Sequence, residues 1–229
     1  MTDKIEKELK DFLFSSFKTK LEVKKGSYLY QEGSEATALF VIITGKIQMS
    51  KITPDGQELT LRLCSKDDII GELSLFCAGA LYMQNAKVVE NAQVLVIEKE
   101  LLEQRLSENS QLALVFMKWM GLQFRRTQTK FRDLVLNGKK GALYSTLIRM
   151  TNSYGVMKEN GILINTPLTN QDLANYCGSS REVVNRMLSD LKKRNILTIA
   201  KGKITIHNLE FLKLEINCEN CPIDLCRID

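Results

Sequence analysis

The stretch TNQDLANYCGSSREVVNRMLSDLKKRNILTIAKGKITI, residues 169–206, decides how the rest of the chain is read. Thr169 is a helix N-cap residue with a carboxylate, Asp172, three positions on, so each side chain can meet the other's free backbone N–H. The spacing predicts a short helix to Tyr176, a turn at Cys177-Gly178-Ser179 with glycine where the chain must bend sharply, and a second helix from Ser180 to about Arg194. Val184, Met187, Leu188 and Leu191 recur at i, i+3, i+4 and i+7 and give that helix a face to bury. Arg181, Glu182, Asn185 and Arg186 fall largely on the opposite face. Ile196–Ile206 then reads as a hairpin turning at Lys201-Gly202. Helix, glycine turn, helix and hairpin make a winged helix-turn-helix. The outward set suits base reading, because Arg matches guanine O6/N7, Glu accepts from cytosine N4 and Asn pairs with adenine. A solvated helix face carries such residues too. Their place on the second helix of this motif favours DNA, with Ser179, Ser180 and Lys201 beside them.

Before this module lies a run without proline from Gln111 to about Leu136, with Gly121 its only glycine. Ser107–Ser110 offers capping residues for it. Two apolar stripes run along this helix, one through Leu112, Val115, Trp119 and Leu122, the other through Met117, Met120, Phe124, Phe131 and Leu134. A helix apolar on two faces buries both, one against its own domain and one, in this reading, against a second copy of the chain. The alternative is a central core helix of a monomer. Asn137-Gly138-Lys139-Lys140 breaks the pattern, and a further helix is expected from Ala142 to about Ser153.

From Leu21 to about Lys99 the texture changes. Short apolar or alternating runs, such as Leu39–Ile43, Ile47–Met49 and Leu59–Leu63, are divided by turn signals at Lys25-Gly26-Ser27, Glu32-Gly33-Ser34, Thr44-Gly45-Lys46 and Pro54-Asp55-Gly56. This predicts a β-sandwich or barrel. Gly71-Glu72 opens a further segment and Ala92–Ile97 closes the set.

The net charge of +5 is unevenly spread: Lys118–Lys203 holds 16 Lys and Arg against 5 Asp and Glu, so the remainder is net acidic. Confined basic charge is the footprint of a nucleic-acid binder, whose affinity is dominated by phosphate contacts. No apolar run is long enough to span a membrane, and Met1–Lys10 is charged, without the apolar core of a secretory signal. The protein is expected in the cytoplasm. One histidine, His207, leaves few acid–base options at neutral pH, and no hydrolytic constellation or phosphate-binding loop is present, so no enzyme is expected.

Near its end the chain reads Cys218-Glu219-Asn220-Cys221-Pro222-Ile223-Asp224-Leu225-Cys226. Three thiols spaced C-x2-C-x4-C can converge on one soft metal centre, an iron–sulfur cluster or zinc. Both usually take four protein ligands. A disulfide or plain reduced thiols are the other readings. Cys64, Cys77 and Cys177 read as core or turn thiols. Asp133 sits near the carboxy end of the long helix, where the helix dipole disfavours an anion, and continues the spacing of Leu112, Val115, Trp119, Leu122, Arg126 and Thr129. Spacing alone pairs it with Arg126, Lys130 or Arg132.

Taken together, Gly45-Lys46, Gly71-Glu72-Leu73-Ser74-Leu75-Phe76 and Gly178–Arg186 resemble the CRP/FNR transcription regulators across essentially the whole chain. The resemblance implies an α+β fold: an amino-terminal β-roll over residues 1–106, a dimerisation helix over 107–137, a winged helix over 138–213 and a cysteine-containing tail over 214–229. It implies palindromic double-stranded DNA with TGTGA-type half-sites, Arg181, Glu182 and Arg186 at the base edges, RNA polymerase as a partner and a homodimer. Where cyclic-AMP-binding members carry Arg-Ser-Ala, this chain has Met83-Gln84-Asn85-Ala86, so a phosphate anchor is missing and Glu72 reads as vestigial. Enterobacterial FNR has cluster cysteines near its amino terminus, and this chain has none before Cys64. It resembles instead the Bacillus-type FNR, which implies a 4Fe–4S cluster, lost in air, on Cys218, Cys221, Cys226 and an aspartate in the Arg132-Asp133-Leu134 stretch. The implied role is oxygen-responsive control, mainly activation, of anaerobic respiration and fermentation genes. The competing expectation is a CRP-like regulator sensing a metabolite or thiol redox state, with a zinc or disulfide tail.

Overall fold

In the computed structural model residues 2–228 are described, with side chains for residues 7–72 and 74–228. The chain forms two compact units, the first joining residues up to Lys51 with Leu61–Gln123, the second Ile52–Thr60 with Phe124–Ile228. In the first, α1 (Thr2–Ser16) leads into β1 (Lys20–Val23), β2 (Tyr28–Tyr30), β3 (Ala38–Ile52), β4 (Glu58–Cys64), β5 (Ile69–Ile70), a 3-10 turn at Glu72–Ser74 and β6 (Asn85–Glu98). Then come α2 (Lys99–Glu108) and α3 (Ser110–Leu136). The sheet runs β1-β6-β3-β4, with β2 paired to β6 and β5 to β3.

Alternation along β3 sorts its side chains to two sides, as period-two geometry requires. Leu39 and Val41 join Leu95, Ile97, the helix residues Leu9, Leu13, Leu102, Leu106 and the α3 residues Leu112, Val115, Phe116 and Trp119. Phe40 and Ile42 join Tyr30, Ile47, Ile70, Tyr82 and Val94 in a second cluster. From Thr2 on, the charged amino end is the first part of α1, which buries Leu9 and Leu13, a periodicity the sequence reading passed over. The turn expected at Thr44-Gly45-Lys46 is instead an irregularity inside one long strand, with register shifts from Ile42 to Ile47. Gly45 has φ 88°, and a Cβ there would lie 2.3 Å from the Asn91 carbonyl oxygen, so only glycine lets the two strands meet.

The second unit continues α3 into α4 (Gly138–Tyr154), β7 (Gly155–Lys158), β8 (Gly161–Ile164), α5 (Asn170–Tyr176), α6 (Arg181–Lys193), β9 (Leu197–Ala200), β10 (Lys203–Ile206) and α7 (Leu209–Leu214). The break expected over Asn137–Lys140 narrows to Asn137, which ends one helix and caps the next. The wing is not a lone hairpin. β7 and β8, unforeseen in the sequence, extend it to an antiparallel sheet in the order β7-β8-β10-β9. Lys201 and Gly202 both take positive φ, 50° and 73°, as a two-residue hairpin turn matched to strand twist demands.

The two stripes of α3 behave differently. Leu112, Val115, Trp119 and Leu122 are buried, and the same line continues through buried Arg126 and Asp133. Met117, Phe124 and Phe131 are 63%, 63% and 66% exposed, with Leu114 and Val135 on the same side, while Met120 and Leu134 are half-buried. The exposed set falls at seven-residue spacing, the period of a helix seam. Among the described residues no helix is long and apolar enough to cross a membrane.

Candidate functional site: a reading helix and a cysteine cavity

Thr169 and Asp172 form a complete capping box: the Asp172 amide donates to Thr169 Oγ1 at 3.0 Å and the Thr169 amide to Asp172 Oδ2 at 2.7 Å. Ser180 caps α6, its Oγ accepting from the Val183 amide at 3.4 Å. Val184, Leu188 and Leu191 are buried and Met187 is half-buried, which leaves Arg181, Glu182, Asn185 and Arg186 exposed on the other side. Asn185 Oδ1 accepts from Asn170 Nδ2 at 2.9 Å, which fixes its amide orientation. The Glu182 carboxyl is held below its ordinary range by hydrogen bonds from its own backbone amide and from Ser180. Ser180 and Lys201 are exposed, whereas Ser179 is buried and its Oγ has no hydrogen-bond partner. The DNA set thus divides into exposed side chains and one, Ser179, set behind the helix start.

The cysteine tail lies against α3 and α4. Arg126 Nε donates to the Asp224 carbonyl at 2.7 Å, Lys130 Nζ to that of Ile228 at 3.0 Å, Arg149 Nη1 to that of Leu225 at 3.1 Å and Asn152 Nδ2 to that of Cys226 at 2.7 Å. Leu225 and Ile228 are buried beneath these contacts. Three basic side chains and one amide thereby satisfy carbonyls that an irregular segment cannot pair with itself.

This docking places Cys218, Cys221 and Cys226 on the wall of one cavity of about 230 Å³, with Asp133, Arg132, Ser145 and Arg149. All three thiols are free and partly buried. Burial pushes the Cys226 thiol up; the Arg149 charge opposes this, while Cys218, Cys221 and Asp133 add to it. Asp133 is buried, and burial alone would raise its carboxyl. Hydrogen bonds from Ser145, Arg149 and Arg132, together with the Arg149 charge, outweigh that and hold it below the usual range. Its Oδ2 accepts from Ser145 Oγ at 2.5 Å and Arg149 Nη2 at 2.7 Å; its Oδ1 accepts from Arg132 Nε at 3.1 Å and Nη2 at 2.9 Å. Of the partners spacing suggested, Arg132 is present; Arg149, on another helix, was missed. Arg132 also ion-pairs with Glu219 of the tail. Among the described residues no three His, Cys, Asp or Glu side chains already stand close enough to hold a single metal ion. The donor chemistry, three soft thiols and one carboxylate on one cavity faced by two guanidiniums, fits a thiolate-held metal centre.

The other cysteines are placed apart. Cys64 is buried in the β-roll core and Cys77 is exposed in the loop after the 3-10 turn. Burial pushes the Cys177 thiol up to about 12, with the Thr146 hydroxyl contact opposing.

In the β-roll, Glu72 is buried and ion-paired to Arg62 at 3.0 Å. The sequence reading held that a basic group was missing there; Arg62, on β4, supplies one, but Glu72 takes it. Tyr30 and Tyr82 stack at 3.8 Å beside the pair, and the remaining cavity is about 20 Å³.

Comparison with known proteins agrees with this geometry. The cyclic nucleotide-binding domain model matches residues 20–109, and the Crp-like helix-turn-helix domain model matches residues 142–214. The anaerobic regulatory protein of Bacillus subtilis (strain 168) is 53% identical over 218 residues, covering 95% of this chain and 92% of that one. The CRP-like cAMP-activated global transcriptional regulator of Mycobacterium tuberculosis (strain ATCC 25618 / H37Rv) is 23% identical over 192 residues, covering 84% and 85%. Among solved structures, FixK2 from Bradyrhizobium japonicum shares the fold with a TM-score of 0.73 at 19% identity, covering 89% of this chain and 98% of that one. Fold and reading helix define a DNA-binding transcription regulator, not an enzyme. The chain belongs to the CRP/FNR family, in its Bacillus-type FNR branch.

Proposed function

We propose that this regulator senses oxygen: a cytoplasmic homodimer that reads palindromic double-stranded DNA with TGTGA-like half-sites and is switched by a 4Fe–4S cluster on Cys218, Cys221, Cys226 and Asp133. The observation that carries the reading is that these four donors share one cavity, in a chain 53% identical to an anaerobic regulatory protein. Such a cluster, when bound, supplies a centre that lasts without oxygen and is lost in air. The three thiols bind iron as thiolates, and Asp133 adds an oxygen ligand. The buried Arg149 offsets the negative charge gathered there. Because the tail is pinned to Arg126 and Lys130 of α3, occupancy of the cavity bears on the helix whose exposed Met117, Phe124 and Phe131 receive the second copy. On α6, Arg181 and Arg186 take guanine edges, Glu182 cytosine and Asn185 the remaining position, while the exposed Ser180 and Lys201 face phosphates and the buried Ser179 stays behind the helix start. RNA polymerase is the protein partner, and the output is mainly activation of anaerobic respiration and fermentation genes.

Protein purified without oxygen is expected to contain matched iron and acid-labile sulfide, with one iron distinct from the other three in Mössbauer spectra. Replacing Cys218, Cys221 or Cys226 with Ser removes the chromophore and the anaerobic DNA binding; Ser at Cys64, Cys77 or Cys177 leaves both. Asp133→Ala loses the cluster yet still dimerises. Zinc in place of iron, or equal DNA binding in air and without it, overturns the reading.

A further inference from the structure

Arg149 is the only charged residue within the buried run Gly141–Thr151 of α4, and its side chain is 3% exposed. A guanidinium in such a place is costly unless its donors are met and its charge is paired. Three segments meet it. Nη2 donates to Asp133 Oδ2 of α3 at 2.7 Å, Nε to Ser145 Oγ of α4 at 3.2 Å, and Nη1 to the Leu225 carbonyl of the tail, next to Cys226, at 3.1 Å. Ser145 Oγ closes the set by donating to the same Asp133 oxygen. Only a planar fork reaches a carboxylate, a hydroxyl and a carbonyl at once; the single ammonium of a lysine on its flexible stem does not.

We propose that Arg149 is the positioning residue of the cysteine cavity: it fixes Asp133 and the tail before Cys226 in one frame, and supplies the charge that offsets the anionic ligand set. The first half stands on the structure alone; the second rests on the cluster reading above. The two oxygens of Asp133 are then unequal. Oδ2 is tied by the buried Arg149 and Ser145, whereas Oδ1 is held only by Arg132, whose side chain is 28% exposed and which also pairs with Glu219. Turning Oδ1 to a metal displaces a solvent-facing side chain and leaves the Arg149 frame intact. Arg132 therefore lies outside the frame that Arg149 holds together.

The test uses the full-length chain. In metal-free protein, amide hydrogen exchange of residues 223–228 is compared for wild type, Arg132→Gln, Arg149→Lys and Arg149→Gln, with α5 and α6 as internal controls. Arg149→Gln is expected to speed tail exchange tenfold or more, Arg149→Lys by less and Arg132→Gln little, with α5 and α6 unchanged. Wild-type tail exchange in Arg149→Gln overturns the frame. If Arg149→Gln does not fold, the pair Arg149→Gln with Asp133→Asn removes the stranded carboxylate, and tail exchange in it decides the point. Anaerobic reconstitution with ferrous iron and sulfide then tests the charge. Arg149→Gln is expected to lower the midpoint potential, because the more negative reduced state loses a nearby cation; Arg149→Lys restores it, and Arg132→Gln loads as wild type does. An unchanged potential in loaded Arg149→Gln overturns the charge role. Failure of wild type to take up iron and sulfide overturns the cluster reading, while the exchange comparison still decides the frame.

Discussion

Each unit buries an arginine–carboxylate pair beside a cavity, Arg62–Glu72 at 3.0 Å in the β-roll and Arg149–Asp133 at 2.7 Å in the second unit. The outcomes are opposite. Around Arg62 the Tyr30–Tyr82 stack leaves about 20 Å³, and the Tyr82 hydroxyl is locked by donating to the Ala38 carbonyl at 2.7 Å. Around Arg149 about 230 Å³ stays free, and its walls are thiols and aliphatic or polar side chains, with no ring among them. A buried ion pair therefore does not mark a site by itself. What packs beside it decides whether the charge closes a core or holds a space, and here the β-roll cavity is the smaller one.

The comparison breaks first at Arg149. Arg149→Met strands the buried Asp133 with only Arg132 and Ser145, and removing one partner of a buried pair costs about 3–5 kcal/mol; urea unfolding of the metal-free chain measures it. An effect under about 1 kcal/mol, the scale of an exposed pair, would show that Arg132 compensates.

Arginines with no buried partner behave in a third way. Arg181→Ala or Arg186→Ala should leave folding intact and cost about 1–3 kcal/mol in DNA binding, relaxing one position of each half-site. Lys201→Ala should instead weaken all sequences alike and reduce the salt slope by about 1. Titration of wild-type and altered half-sites at several salt concentrations separates the two. Uniform weakening in Arg181→Ala removes it from the base-reading set.

In the β-roll, Glu72→Gln keeps a hydrogen bond to Arg62 and should cost only about 1 kcal/mol. Calorimetry should detect no cyclic nucleotide binding to it, since the tyrosine stack still fills the space. A measurable affinity would show that the ion pair, not the rings, closes the pocket.

The smallest effect separates sealed from open thiols. The neutral Cys177 thiol is favoured on folding, so its contribution is complete below the unfolded value of 9.0 and is lost as the pH rises towards about 12. Cys177→Ala should flatten the stability profile in that window. At pH 8, alkylation should reach Cys77 first, the tail cysteines next and Cys64 and Cys177 last; early labelling of Cys177 would mean the turn before α6 opens.

What the sequence determined alone are features written within a few residues: the Thr169–Asp172 capping box, the exposed face of α6, the Lys201-Gly202 turn and the two stripes of α3. Capping, φ and periodicity are local, so they survive without knowledge of the rest of the chain. The β7–β8 strands and α7 carried weaker local signals and took shape through pairing with β10 and packing on α4. Gly45 showed a turn signal that tertiary pairing converted into a bulge, because β6 continues past it. The arginines were out of reach for a different reason. Arg149 meets Leu225 across 76 residues, and Arg62 meets Glu72 through the path of the sheet, so neither partner follows from a period. The one hint, a single charge in the apolar run Leu147-Ile148-Arg149-Met150, says that a partner exists and not which one. Only the folded chain, by bringing α3 and the tail to one guanidinium of α4, decides that.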